Sequence, residues 1–412
     1  VQEQLISEHL RDLVQIERIS TRDNITMVTV RTPCLNRNLL TLIKSRLLPY
    51  NLQSDIMSFS TVALNGQTED VADIMVYSVH HEDSDKLSLV PAMYLSDKPD
   101  KEKRWYSGPW MNLMLFIITS IIVFITGSAT IVNRSLTDEW IWTIGFQFSI
   151  ALMAILTAHE FGHYFAARYH GLKVTLPYFL PGILIPPGIM AGFGGTTVMP
   201  GTFGAFIRIQ SPIQNRKQLL DVGASGPIAG FIVCLIVLIY GFITIPEKEW
   251  AYQFYDVSKL QEGDSVLQFG DSILFSLFGS WLAGDRMPAM YDIVHYPLIF
   301  AGWFGILVTA LNLLPLGQLD GGHVWYALFG KKQKYAGYAT FGVIVIMALW
   351  LDITSWFLWA ILILVLIRIK HPPILDEDTP LDTRRKLIGM VAIIIFILTF
   401  MPAPIYEKVL TY

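Results

Sequence analysis

Ile141–Ala158, IWTIGFQFSIALMAILTA, runs straight into His159-Glu160-Phe161-Gly162-His163. Those first 18 residues carry no charge and are almost all apolar. At about 1.5 Å rise per residue they approach the ~30 Å hydrocarbon thickness of a bilayer. Two histidines and a carboxylate follow, then more apolar residues up to Arg168. An ionisable group at membrane depth is costly and marks a functional site by default. Here three stand together, which makes this helix the candidate functional site.

The rest of the composition agrees. Of 412 residues, 53% are hydrophobic and 16% charged, against roughly 25% charged in soluble domains. A net charge of −4 argues against nucleic acid as a partner. Cys34 lies in a polar region and Cys234 inside an apolar run, contexts that do not predict a disulfide. No cationic segment with a short apolar core opens the sequence, although a start at Val1 is compatible with a trimmed leader.

Residues 1–107 differ from the rest of the chain. Charges are frequent, a helix-like start covers 3–17, and strand-like stretches appear at Ile25–Thr32, Ile56–Ala63 and Asp73–Val79. The expectation is a small soluble α/β domain. Its adjacent His80 and His81 point to opposite faces of any strand, so they read as surface residues.

From residue 108 the chain reads as a polytopic α-helical membrane protein of about seven spans. These fall near Pro109–Val132, Trp140–Ala167, Gly223–Ile245, Val294–Leu314, Ala336–Trp350, Ile353–Ile367 and Leu387–Met401. The fifth and sixth, parted around Leu351-Asp352, predict a tight hairpin. We divide this part into a core, 108–330, and C-terminal helices, 331–412. Trp105, Trp110, Trp140 and Trp250, near span ends, fit interfacial anchors.

Lys and Arg set the orientation. Lys101, Lys103 and Arg104 precede the first span, and Lys173, Arg208, Arg216 and Lys217 separate the second from the third. Lys331, Lys332 and Lys334 follow the fourth, while Arg368, Lys370 and Arg384–Lys386 precede the seventh. Seven spans put all four groups on one side. The N-terminal domain is then expected in the cytoplasm or its equivalent, and the C-terminus outside. With Arg168 at the boundary, the two histidines lie roughly 7–14 Å below it at helical rise, embedded yet close to water.

On a helix, residues four apart share a face, so His159 and His163 can present two imidazoles to one Zn²⁺. Glu160 is placed to act as general base on water activated by that metal. Catalytic zinc needs a third protein ligand and one open position. The candidates are the other histidines, Cys234, and carboxylates near a membrane boundary. Asp320 is the best of them, in Asn312-Leu-Leu-Pro315-Leu-Gly-Gln-Leu-Asp320-Gly321-Gly322-His323. Pro315 and the glycine pair are expected to break the helix and bend the carboxylate inward. His323 is the rival ligand, expected instead at the water interface. His170 and His295 read as interface residues.

Together, HEFGH in one span, Asn-x-x-Pro…Leu-Asp-Gly in a later one and Gly223-Ala-Ser-Gly-Pro227 between them resemble the site-2 proteases, intramembrane zinc metalloproteases. The resemblance covers roughly residues 110–330. The sequence around Pro200–Arg216 is most similar to the plant-plastid and prokaryotic branch, and the 246–291 loop is too short for an inserted PDZ domain. The resemblance implies His159, His163 and Asp320 as ligands of one Zn²⁺, Glu160 as the base, and Asn312 as the group that steadies the oxyanion.

Val174–Ile209 alternates Pro and Gly with apolar residues, including Pro186-Pro187 and Gly192–Gly195. It predicts re-entrant, β-like backbone tolerated where protein or water satisfies its polar groups. An edge near Thr202–Ile209 could pair with an unwound substrate segment, or could simply be a structural plug. Gly223, Gly226 and Gly230 predict close packing of the third span on the zinc-bearing ones, with Pro227 loosening the helix there.

The expected function is an intramembrane zinc endopeptidase acting on a membrane-protein substrate with a transmembrane segment, in the lipid bilayer. The expected location is a prokaryotic cytoplasmic membrane, with a plastid membrane as the alternative. A non-proteolytic zinc-binding membrane regulator would not need Glu160. A metal transporter would be expected to show internal repeats, and the motif has no second copy.

Overall fold

The computed structural model describes residues 2–22, 25–32, 52–64, 67–78, 108–132, 139–182, 200–247, 265–350 and 379–409. Between 351 and 378 it describes 356–357, 360–361, 363–364, 368–372, 374 and 376–377. His80, His81, Cys34, Trp105 and Trp250 lie outside these residues, as does most of the expected Ile353–Ile367 span. The chain forms two compact units, Val1–Glu102 with Gln210–Pro212, and Lys103–Ile209 with Ile213–Tyr412.

In the first unit, helix α1 (Gln2–Leu10) precedes four strands, β1 (Gln15–Arg22), β2 (Ile25–Thr32), β3 (Leu52–Leu64) and β4 (Gln67–Ser78). They form one antiparallel sheet of order β1-β2-β4-β3. Ile6 and Leu10, one helical turn apart, are fully buried, as are Val28 and Val30 on alternate positions of β2. The expected helix over 3–17 is corrected at its end, where Gln15–Glu17 belongs to β1. Its cause is a bulge between Ile16 and Arg18. The extra residue brings Ile16 and Ile19 to one face of the strand, a spacing of three that imitates a helix.

The second unit is mostly helical. Its elements are α2 (Pro109–Val132), α3 (Glu139–Tyr169), β5 (Tyr178–Pro181), β6 (Thr202–Phe206), α4 (Arg216–Ile243), β7 (Ser265–Phe269) and α5 (Ile273–Phe278). Next come α6 (Pro297–Asn312), α7 (Asp320–Phe329), α8 (Gln333–Trp350), α9 (Thr383–Thr399) and β8 (Ile405–Val409). Among the described residues three helices are long and apolar enough to cross a membrane: Pro109–Ser128, Trp142–Tyr169 and Arg216–Ile243. Helix α6 is apolar but shorter, at 16 residues. Ile117, Ile121 and Ile125 on α2 and Ile232, Ile236 and Ile239 on α4 face outward. Such rows suit hydrocarbon and would be a liability in water.

Helix α3 is the most buried of the three and packs against α2, α4 and α6. Close approach to α6 depends on its small residues. A methyl group at Gly305 would meet Cys234 Sγ at 2.7 Å and Ile155 Cδ1 at 2.9 Å. Beside this contact Phe148, Phe269, Phe300, Trp303 and Phe304 interlock, and Trp303 donates its indole N–H to the Gly270 carbonyl.

Two two-stranded sheets accompany the helices. Strands β5 and β6 pair antiparallel, and a Val174–Ile209 bridge extends the pairing, so the β-like backbone expected in Val174–Ile209 is present at both described ends. Asn112 of α2 donates its side-chain amide to the carbonyls of Leu176 and Pro177, both at 2.9 Å, and so ties this segment to the first helix. Strand β7 pairs with β8, joining the segment after α4 to the segment after α9.

Candidate metal centre

The central helix α3 runs unbroken through the motif, so His159 and His163 lie one turn apart on one face. All three ionisable groups are buried, with 6% exposure for His159 and Glu160 and 7% for His163. The Nε2 atoms of the two imidazoles are 3.1 Å apart. Asp320 Oδ2 lies 3.3 Å from each of them, and the ligand atoms of all three residues fall within 4.8 Å of one another.

Local backbone delivers each side chain. Nδ1 of His163 lies 2.7 Å from the Val222 carbonyl of α4. A carbonyl only accepts, so Nδ1 carries the proton and the Nε2 lone pair is turned to the centre. The glycine face of α4 makes room for this. A methyl at Gly226 would sit 2.1 Å from His163 Nε2, and one at Gly230 would sit 3.0 Å from His159 Cβ. Pro227 is accommodated within the continuous helix α4.

Asp320 is the first residue of α7, where a carboxylate complements the helix dipole. Helix α6 ends at Asn312 and the chain turns through Leu313–Leu319, so the break around Pro315 is present. The glycine pair does not contribute to it. Gly321 and Gly322 are helical and serve close approach, since a methyl at Gly321 would fall 2.0 Å from the Leu313 carbonyl oxygen. At the far end of α7, Arg216 Nε and Nη2 donate to the carbonyls of Ala327 and Leu328 at 2.7 and 2.8 Å. This satisfies helix-end acceptors and fixes α7 to the start of α4.

Asn312 also reaches the centre, with Nδ2 at 3.4 Å from His159 Nε2. The backbone N–H of Ile207, just beyond β6, faces Glu160. The expected rival ligand His323 instead pairs through Nδ1 with His371 Nε2 at 2.7 Å. His371 Nδ1 bonds the Pro372 carbonyl, so its Nε2 accepts and His323 Nδ1 donates. Burial lowers both, His323 to about 4 and His371 to about 3, the latter helped by the neighbouring His323. Cys234 is buried away from this group and donates to the Gly302 carbonyl.

Two arrangements escaped the sequence reading. Gln333, 1% exposed, donates to the carbonyls of Pro315 and Ile369 and accepts the His371 N–H, binding segment 369–371 to the turn before Asp320. His170, expected at an interface, pairs with Asp221 at 2.7 Å, and Asp221 is gripped in turn by Arg385. The available signal was a lone carboxylate just before the Gly223–Pro227 run.

Residues 147–351 match peptidase family M50. The chain carries a peptidase M50 domain. Both HEFGH and Asp320 lie within the M50 match. Among curated proteins the chain is 31% identical over 257 residues to "Probable zinc metalloprotease EGY2, chloroplastic" of Oryza sativa subsp. indica, covering 62% of this chain and 42% of the relative. It is 29% identical over 262 residues to the Arabidopsis thaliana protein of the same name, covering 63% and 42%. It is also 29% identical over 254 residues to "Probable zinc metalloprotease EGY1, chloroplastic" of Arabidopsis thaliana, covering 61% and 42%. The matched M50-bearing stretch spans less than half the length of these relatives. No solved structure matches.

Proposed function

We propose that this chain is an intramembrane zinc endopeptidase that hydrolyses peptide bonds within or near transmembrane segments of membrane-protein substrates. One observation carries the reading. Tetrahedral zinc with bonds of about 2.0–2.1 Å sets its ligand atoms about 3.3 Å apart, and the separations of His159, His163 and Asp320 are 3.1, 3.3 and 3.3 Å. Two imidazoles and one carboxylate are a catalytic zinc donor set that leaves a position open. His159, His163 and Asp320 would hold the ion, which supplies Lewis acidity when bound.

The chain's own residues supply the remaining chemistry. Glu160, buried beside the two histidines, takes a proton from the attacking water and delivers it to the leaving amine. Asn312, whose amide nitrogen is directed at His159, donates to the oxygen of the tetrahedral intermediate. The Ile207 N–H against Glu160 puts the end of β6 beside the base. An extended substrate segment laid along that edge would bring its scissile carbonyl to Glu160.

Seven spans with the N-terminal domain, residues 1–107, on the cytosol-equivalent side remain our topology. Pairing of β7 with β8 supports it, because the chain between them must then cross an even number of times. The His170–Asp221–Arg385 contacts do the same for the other side. The chloroplastic names of the relatives favour a plastid membrane over a prokaryotic cytoplasmic one. A detergent-solubilised preparation with a transmembrane reporter tests the activity. Cleavage should stop with a zinc chelator and return with added Zn²⁺; cleavage that ignores the chelator would refute the reading.

A further inference from the structure

Asp221 stands one residue before Val222, the carbonyl that holds His163 in the tautomer offering Nε2. Within α4 the Val222 carbonyl also accepts Ser225 Oγ at 3.0 Å. Pro227 has no N–H, so the next carbonyl, Gly223, lacks its helical donor. A further restraint on this turn comes from outside the helix. Arg385 Nε lies 2.9 Å from both carboxylate oxygens of Asp221, and Nη2 lies 2.6 Å from Oδ2. The same Oδ2 is 2.7 Å from Nε2 of His170, the residue that follows α3. Arg385 is itself preset by Asp382, the N-cap of α9, which accepts its backbone N–H at 3.0 Å and its Nη1 at 2.6 Å. The Asp221 carboxylate therefore joins α9, α4 and the end of the histidine-bearing helix, in a part-buried setting with side-chain exposures of 24%, 17% and 14% for Arg385, Asp221 and His170.

We propose that Arg385 is a positioning residue of the metal centre: by its forked grip on Asp221 it holds the α4 backbone so that the Val222 carbonyl stays on His163 Nδ1. The proposal rests on His163 being a metal ligand. It gives α9, which lies beyond the matched residues 147–351, a part in metal binding. Partners that orient a metal-bound histidine typically change affinity 10–100-fold when lost. A lysine cannot reproduce the fork, because its ammonium is a point charge.

Cobalt titration of the full chain in detergent, followed by visible absorption, tests this. Arg385→Ala and Asp221→Asn should each bind Co²⁺ at least tenfold more weakly, with an altered absorption band. Arg385→Lys should recover part of the affinity. The double variant should be no weaker than the weaker single one. Wild-type affinity and band shape in Arg385→Ala would overturn the proposal, even with a lowered melting temperature, since a mere structural staple gives that result. If Arg385→Ala does not fold, Arg385→Lys and Asp221→Asn decide by the same criterion. His163→Ala separates the premise. Cobalt loss there with unchanged Arg385 variants sinks the positioning role alone, whereas unchanged binding in His163→Ala sinks the ligand assignment.

Discussion

His163 and Val222 are joined by a 2.7 Å contact between an imidazole nitrogen and a backbone carbonyl oxygen. A side chain of the central helix is thus oriented by the main chain of its neighbour. The arrangement depends on backbone approach, which only small residues on α4 allow. Changes at those residues should read out as metal loss before they read out as unfolding.

Gly226→Ala is the sharpest case. The added methyl would sit 2.1 Å from His163 Nε2, so the ring must move. Overpacking of this kind costs about 1–3 kcal/mol, and zinc content should fall below half of wild type. Gly342→Ala meets nothing within 4 Å and should keep full zinc; metal analysis of the two side by side checks the contrast.

Asp320 and Asn312 should separate binding from turnover. Asp320→Asn removes the negative charge opposite both imidazoles and should lower zinc occupancy. Asn312→Ala should leave occupancy unchanged and reduce kcat by about 10²–10³, the usual cost of losing an oxyanion donor. Unchanged zinc in Asp320→Asn would point to a different third ligand.

Gln333 is predicted to matter for stability. Its amide serves two carbonyls and one N–H in a buried position, and each buried group left without a partner costs about 1–3 kcal/mol. Gln333→Ala should lower the melting temperature well beyond the effect of an exposed substitution such as Tyr335→Ala. Equal melting of the two would refute it.

Acidification gives a signed prediction. In the folded protein His323 and His371 are lowered to about 4 and about 3, below the ordinary value of about 6.5. The unfolded chain therefore binds more protons in that window, and stability should fall as pH drops from about 6.5 toward 4. Above that window these two groups contribute no slope. Melting of wild type and His371→Phe between pH 7.5 and 5 checks it: the variant should lose less stability on acidification.

Much of the centre was legible because its information is local. A four-residue spacing on a helix brings His159 and His163 together whatever the rest of the chain does. Asp320 was readable as a candidate because it is a carboxylate near a membrane boundary with the helix-breaking Pro315 before it. The pairing of Asp221 with Arg385 was not, because 164 residues separate them and nothing in either neighbourhood names the other. The β7–β8 pairing is equally non-local. The strand at Gln15–Arg22 was missed for a different reason, the bulge that gives its isoleucines helical spacing.

If His159, His163 and Asp320 hold zinc while Glu160 moves the proton, metal binding and turnover must come apart at Glu160. Zinc content and cleavage of a transmembrane reporter, measured together on wild type and Glu160→Gln, decide this. Equal zinc in both proteins and cleavage by wild type alone are expected. Cleavage by Glu160→Gln at the wild-type rate would contradict that division of roles.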